Sequence, residues 1–153
     1  MPNWCNNQLM VRGPAEDVRH FKAKAVGHSP WLPLEARPDK PNPLNFHSLC
    51  PVPDELLKGG YGEAVYKWEQ NHWGCKWGGC ETQIVDESDE YIKYAFDTPW
   101  SPPLEFIAHV ARDWPRLSFV IEYEEPGNGL KGQTKIQGNQ SNRSSSQSKR
   151  RHG

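Results

Sequence analysis

The residues best suited to chemistry lie in one short stretch that holds a histidine and two cysteines. His72, Cys75 and Cys80 are close in sequence, and Cys5 or Cys50 could supply a fourth ligand. Zinc binds imidazole and thiolate groups tetrahedrally, so this set is a candidate metal site. Its spacing departs from the usual Cys-x2-Cys knuckle, and cysteine is commonly a small buried hydrophobe. We therefore expect no metal and no cofactor, with zinc as the alternative.

Enzymatic motifs do not accompany these residues. The sequence lacks Gly-x-Ser-x-Gly, a phosphate loop, a dinucleotide fingerprint and His-Glu-x-x-His. A cysteine–histidine nucleophilic pair is conceivable, but the geometry that defines such a pair cannot be obtained from sequence. We predict that the protein is not an enzyme, with a metal-dependent enzyme as the least favoured alternative.

Tryptophan is concentrated around the same stretch, in segments punctuated by glycine and proline. Such side chains could form an exposed platform, joined by Trp4 and Trp31, for a partner protein or for unstacked bases. They could equally pin long loops to the core, because tryptophan is highly buried on average. The binding residues predicted here are Trp73, Lys76, Trp77 and Trp100.

Acidic residues form a second cluster, which completes the predicted binding set with Asp86, Glu87, Asp89 and Glu90. They are explained either as a solvated turn or as a surface that attracts a basic groove on another protein. Charge is also divided along the chain. Six of the 18 basic residues follow residue 130, so residues 1–130 hold 12 basic and 19 acidic groups, a formal charge of −7. That acidic body disfavours duplex binding, whereas the basic tail could contact nucleic acid.

The elements that must position these residues follow from hydrophobic periodicity. Alternation around Leu9 and Val11 predicts a strand, and Val18, Phe21 and Ala25 then form a helical stripe. Prolines dominate residues 29–53, which indicates an extended insertion. A short turn of helix is expected at 54–57, a helix at 62–71, and a hairpin at 82–85 and 91–98. Ser101 is expected to cap a helix that ends before Pro115, and residues 117–123 form the last strand.

This order predicts an α+β fold, the ferredoxin-like split β-α-β-β-α-β arrangement with an antiparallel sheet and two helices on one face. A long Pro/Trp-rich insertion, about residues 28–80, follows the first helix. The other face of the sheet would carry Gln8, Met10, Arg12, Tyr91, Lys93, Asp97, Ser118, Val120 and Glu122. We expect one domain over residues 1–130 and a disordered basic Gly/Ser/Gln-rich tail over residues 131–153.

Membrane association is not expected, because no apolar run approaches the roughly 20 residues that a spanning helix needs. The N-terminus lacks the basic and apolar regions of a signal peptide. Four cysteines in such a chain are typical of reduced thiols in a cytoplasm. We predict a cytoplasmic protein, with its oligomeric state open.

Four ordered motifs resemble the YubB-like family of small ferredoxin-like proteins from phages and plasmids. The motifs are residues 1–7 (MPNWCNN), 46–53 (FHSLCPVP), 72–77 (HWGCKW) and 96–103 (FDTPWSPP), followed by the closing 123–127 (YEEPG). His72 and Cys75 depart from the family pattern, and the basic tail is not part of it. The resemblance implies a fold and a mobile-element origin, and it carries no activity to this chain.

The function predicted from these observations is that of a non-catalytic phage- or plasmid-type accessory protein. It would bind a host macromolecule through the acidic face and the tryptophan-bearing loops, and the favoured class of macromolecule is a protein. Such binding could counter host defence. The alternative is a single-stranded nucleic-acid binder that uses the aromatic loops and the basic tail.

Overall fold

The computed structural model describes residues 3–31, 40–75, 77–127 and 129–137. Its strands are β1 (Trp4–Arg12), β2 (Cys80–Ser88), β3 (Tyr91–Pro99), β4 (Ser118–Glu125) and β5 (Leu130–Gln137). Its helices are α1 (Ala15–Ala25), α2 (Phe46–Leu49), α3 (Asp54–Lys58), α4 (Glu63–His72) and α5 (Leu104–Asp113). Within this part of the chain, no helix combines the length and hydrophobicity that crossing a bilayer requires.

The sheet is antiparallel throughout, with the strand order β2-β3-β1-β4-β5. Central strand β1 alternates strictly, so that Leu9 and Val11 are buried while Gln8 and Arg12 are exposed. In β3 the side chains of Ile92, Tyr94 and Phe96 enter the same core. The buried side chains of α1 and α5 complete that core on one face of the sheet. The predicted ferredoxin-like α+β fold is confirmed.

The number of strands was predicted wrongly, because β5 extends the sheet from four strands to five. It pairs with β4 from Glu125↔Leu130 to Ser118↔Gln137, so residues 131–137 are not a disordered tail. Periodicity did not reveal this strand because only two of its side chains, Thr134 and Ile136, are buried. Backbone pairing with the edge of β4 supplies the rest of its order. The remainder of the predicted tail lies outside the described residues.

Strand β5 yields a direct test of this correction. Replacing Ile136 with alanine is expected to lower the free energy of unfolding by about 2 kcal/mol or more, because it empties a buried site. The neighbouring Lys135→Ala, on the exposed side of the same strand, should stay within about 0.5 kcal/mol of wild type. Urea unfolding measures both. Equal, negligible effects would show that β5 does not belong to the cooperative fold.

The insertion packs on the body through α2 and the segments around it. Phe46 is buried, and its ring stacks on Phe106 of α5 at a centroid distance of 3.8 Å. Trp73 and Phe96 contact the same ring edge-on, at 5.5 and 6.0 Å. The insertion therefore shares the core of the sheet and brings α4, with the loop that follows it, to the start of β2.

Helix α5 begins later than predicted. The residue before its first turn is Pro103, and no side chain caps it. Ser101, the expected cap, instead donates from Oγ to the carbonyl of Gly74 at 2.8 Å. Two prolines after Ser101 postpone the helix, which leaves the serine hydroxyl free to bind another loop. This bond joins the loop before β2 to the loop after β3.

Candidate macromolecule-binding site

Three tryptophans lie at one end of the sheet because of strand register. Cys80 at the start of β2 pairs with Asp97 near the end of β3, so Trp77 and Trp100 flank neighbouring strands at the same edge. Trp4, the first residue of β1, pairs with Pro99 at that edge. We call Trp4, Trp77 and Trp100 the tryptophan end. All three side chains are exposed, at 37%, 47% and 50% respectively.

The backbone at this end is strained. Trp77 and Trp100 have φ angles of 72° and 69°, and Glu81 beside them has 53°. A bulky side chain in this left-handed region is rare, and each such residue costs on the order of 1–3 kcal/mol. Burial does not offset that cost, because about half of each indole remains in contact with water. Such conformations persist where the surrounding structure imposes them, and they cluster at functional sites.

A buried carboxylate holds the loop of Trp77. Glu69 of α4 is fully buried, and its Oε1 accepts hydrogen bonds from the Trp77 backbone N–H at 3.1 Å and from the Tyr61 hydroxyl at 2.9 Å. Desolvation of the hydroxyl, and then the Glu69 carboxylate, raise the pKa of Tyr61. Since the carboxylate binds the backbone rather than the indole, it fixes the direction of the Trp77 side chain without covering it.

The loop of Trp100 is held equally firmly. Its backbone N–H donates to the carbonyl of Asn3 at 2.7 Å, before the first strand. Thr98 is buried and donates from Oγ1 to the Ser101 carbonyl at 2.6 Å. Asn7, also buried, donates to Thr98 at 3.0 Å. Together with the bond from Ser101 to Gly74, these contacts tie both tryptophan loops to each other and to β1.

A groove of about 720 Å³ lies beside Trp77, between its loop and the first part of the insertion. Its aromatic walls are formed by Trp31, Phe46, Trp73 and Trp77. Asn42 and Thr82 add polar groups. A partner's apolar side chain inserted there would contact Trp77 on one flank, which is the environment in which tryptophan contributes most to binding.

The other predicted aromatic residue takes the opposite role. Trp73 is only 2% exposed, and its indole N–H donates to the Cys50 carbonyl at 3.0 Å. It was predicted as a binding residue and is instead a core residue. Trp73, which follows the last residue of α4, packs edge-on against Phe46 and against Trp68 of the same helix. Lys76, also predicted to bind, lies outside the described residues.

The acidic cluster does not adjoin the tryptophan end. The β2–β3 turn lies at the other end of two nine-residue strands, about 30 Å away at the usual rise per residue. Its members also diverge: Asp86 accepts from the Tyr91 hydroxyl at 2.9 Å, and Glu87 pairs with Lys22 of α1 at 2.7 Å. Asp89 and Glu90 are exposed in the turn. The predicted set thus separates into two places.

The candidate zinc ligands are not assembled. His72 is exposed and stacks on Trp68 at 4.3 Å, whereas Cys75 is buried. No metal-binding group of three or more His, Cys, Asp or Glu side chains occurs within the described part of the chain. The side chains of His72 and Cys75 point apart because His72 is the last residue of α4, whereas Cys75 lies beyond the helix in the turn that leads inward.

The thiols are also poorly suited to nucleophilic chemistry. Burial raises the pKa of Cys5 and of Cys50 to about 11. For Cys75, burial and then the nearby Glu69 carboxylate raise the pKa. For Cys80, burial and then Asp97 raise it. A thiol must ionise to act as a nucleophile, so each of these shifts disfavours the reactive thiolate.

Two carboxylates escaped the sequence reasoning. Glu69 was hidden in a helical pattern, and its only signal was its place on the same helical face as Val65. Glu125 is 1% exposed, although carboxylates are mostly solvated, and neither carboxyl oxygen has a hydrogen-bond partner among the described residues. Strand alternation does place Glu125 on the buried side, together with Phe119 and Ile121.

Comparisons with known proteins agree with this architecture. Residues 76–151 match a family model described as the ferredoxin-like domain in Api92-like protein. The crystal structure of protein Api92 from Yersinia pseudotuberculosis is similar with a TM-score of 0.68 and 11% identity, over 95% of this chain and 98% of that one. At that identity the similarity demonstrates the fold alone. A search of curated proteins finds no match. Residues 76–151 are thus similar to the ferredoxin-like domain of Api92-like protein, and the whole described chain shares the fold of the Api92 structure.

Proposed function

We propose that this protein is a non-catalytic binding module whose tryptophan end captures another protein. The observation that carries the proposal is the pair Trp77 and Trp100: two half-exposed indoles in left-handed backbone, each held by a hydrogen bond from its own backbone N–H. Rigid aromatic side chains lose little conformational entropy on binding and are common binding hot spots. Strain at exposed residues gives the fold itself no benefit, which favours a role in recognition.

The partner and its setting are the finer part of the proposal. Because the sequence resembles YubB-like proteins of phages and plasmids, we extend it to a cytoplasmic host protein, with inhibition of host defence as the consequence. The carboxylates at the far end of the β2–β3 hairpin would contribute long-range electrostatic attraction to a basic partner, rather than contacts beside the tryptophans.

Glycine substitution separates binding from folding at this site. Glycine adopts a positive φ without strain, so Trp77→Gly and Trp100→Gly remove the ring and relieve the backbone together. We expect each variant to unfold at the wild-type urea concentration or a higher one, and to lose roughly 30-fold in affinity for the captured partner. Affinity capture from host lysate identifies the partner, and titration with that purified protein measures the affinity.

Tyr66→Ala is the matched control, because Tyr66 is an exposed aromatic residue on α4 and is not part of the tryptophan end. It should retain full capture. Parallel samples treated with nuclease test the alternative function: a partner lost on nuclease treatment and on moderate added salt would indicate single-stranded nucleic acid instead. Full capture by both glycine variants would contradict the proposed site.

A further inference from the structure

On the face of the sheet opposite the helices, acidic side chains lie toward one end of the strands and basic side chains toward the other. The register aligns Asp97, Asn6 and Glu124 in one cross-strand row, with Gln8 and Glu122 in the next. The following rows hold Lys93, Met10, Val120 and Lys135, and then Tyr91 and Arg12. Together with Glu81 at their margin, the first two rows contain four carboxylates and one cation, Lys131. The last two rows contain three cations and one carboxylate, Asp86.

This open face is the one predicted from the alternation of the strands. Two cavities of about 900 and 310 Å³ lie on it, the larger over the acidic rows and the smaller over the basic rows. Apolar side chains occupy its middle, where Met10, Ala95 and Val120 are partly exposed. The face therefore has an apolar centre between an acidic half and a basic half.

We propose that this open face binds a second copy of the same chain, face to face. A rotation of 180° about an axis in the plane of the face, perpendicular to the strands, lays each strand over its own copy and reverses the rows. The acidic half of each chain then lies over the basic half of the other. Two-fold dimers need a self-complementary patch of this kind. A uniformly basic partner would complement one half only and meet like charges on the other.

The contact made by Arg12 occurs twice in this arrangement, once for each copy. With the axis between the Gln8 and Met10 rows, Arg12 of one copy lies over Asn6 of the other. Asp97 and Glu124 flank Asn6 on the two neighbouring strands. Arg12 is exposed, and its guanidinium carbon lies 5.6 Å from the centroid of the Tyr91 ring, which directs it across the face. Guanidinium between two carboxylates is a favourable pairing.

The size of the face is also adequate. Five strands about 4.8 Å apart and nine residues long, at about 3.3 Å per residue, cover roughly 700 Å². A stable interface of standard size buries about 800 Å² per partner. Sheets packed face to face lie about 10 Å apart, close enough for arginine and glutamate side chains to meet.

Charge reversal tests the pairing through sedimentation equilibrium. Wild type should be a dimer that weakens as salt is added. Arg12→Glu and Glu124→Arg each place like charges together twice per dimer, so each should raise the dimer dissociation constant at least about 100-fold. In a mixed dimer of the two variants, one contact joins the two substituted side chains, which carry opposite charges. The other contact keeps the native Arg12 and Glu124, so an equimolar mixture should dimerise. Lys24→Glu, on the exposed face of α1, is the control and should remain dimeric.

Three results would overturn the inference: a wild type that stays monomeric at every concentration, single variants that dimerise normally, or a mixture that stays monomeric. Both substitutions are at exposed strand positions, and circular dichroism confirms that the variants are folded. The inference is independent of the tryptophan end. A protein that captures its partner but does not dimerise would contradict only this inference. A protein that dimerises but does not capture a partner would contradict only the proposed function.

Discussion

Replacing Phe46 with alanine is expected to lower the free energy of unfolding by about 3–5 kcal/mol. The ring is 2% exposed, stacks on Phe106 and touches Trp73 and Phe96 edge-on. Its removal leaves a cavity where the insertion meets the body. Typical domains have only about 5–15 kcal/mol of stability, so the urea midpoint should fall markedly. Urea unfolding followed by far-UV circular dichroism measures the change.

Two further variants make this result specific. Phe46→Leu keeps most of the buried volume and should cost clearly less than the alanine variant, under about 2 kcal/mol. Tyr66→Ala removes an aromatic ring of similar size from an exposed position on α4 and should change stability by no more than about 0.5 kcal/mol. If Phe46→Ala resembled Tyr66→Ala, the insertion would not share the core of the sheet.

Replacing Glu69 with leucine is expected to reduce both stability and partner capture. The carboxylate is fully buried and accepts from the Trp77 N–H and the Tyr61 hydroxyl. Without it, both donors lose this acceptor. Each bond contributes about 0.5–1.5 kcal/mol, or somewhat more because its acceptor is charged, and both donors belong to partly exposed residues. Trp77 also loses the bond that holds its left-handed backbone, so the indole should no longer be presented in one direction. Urea unfolding and titration with the captured partner measure the two effects.

Glutamine at position 69 is the matched variant. Glu69→Gln keeps an oxygen acceptor at nearly the same position, so its loss of stability should be less than that of Glu69→Leu, and capture should largely persist. The comparison with Trp77→Gly is also informative. The glycine variant loses capture and keeps its stability, whereas Glu69→Leu loses both. Full capture by Glu69→Leu would show that this carboxylate does not position Trp77.

Local pattern was sufficient to predict four of the five strands of the sheet and its two faces. Leu9 and Val11 alternate with polar residues, and so do Ile92, Tyr94 and Phe96, because a strand directs successive side chains to opposite faces. The same rule placed Met10, Arg12 and Lys93 on the open face. It failed at β5, where neighbouring backbone, rather than a run of apolar side chains, supplies the order.

The candidate site was only partly predictable. Residue type predicted Trp73, Trp77 and Trp100 alike as binding residues. It could not show that Trp73 is buried, because exposure depends on the direction in which a turn points each side chain. The acidic residues at 86–90 are near Trp77 and Trp100 in sequence. The hairpin nevertheless carries them to the other end of the sheet, since its strands run about 30 Å before turning.

By itself, the sequence determined the fold class and the buried faces of β1, β3, α1 and α5. These depend on periodicity and residue type, which act over a few neighbouring residues. The tertiary structure alone decided that Trp4, Trp77 and Trp100 share one end, that Glu69 holds one of their loops, and that the open face divides into acidic and basic halves. Those properties depend on strand register and long-range hydrogen bonds, which join residues far apart in the chain.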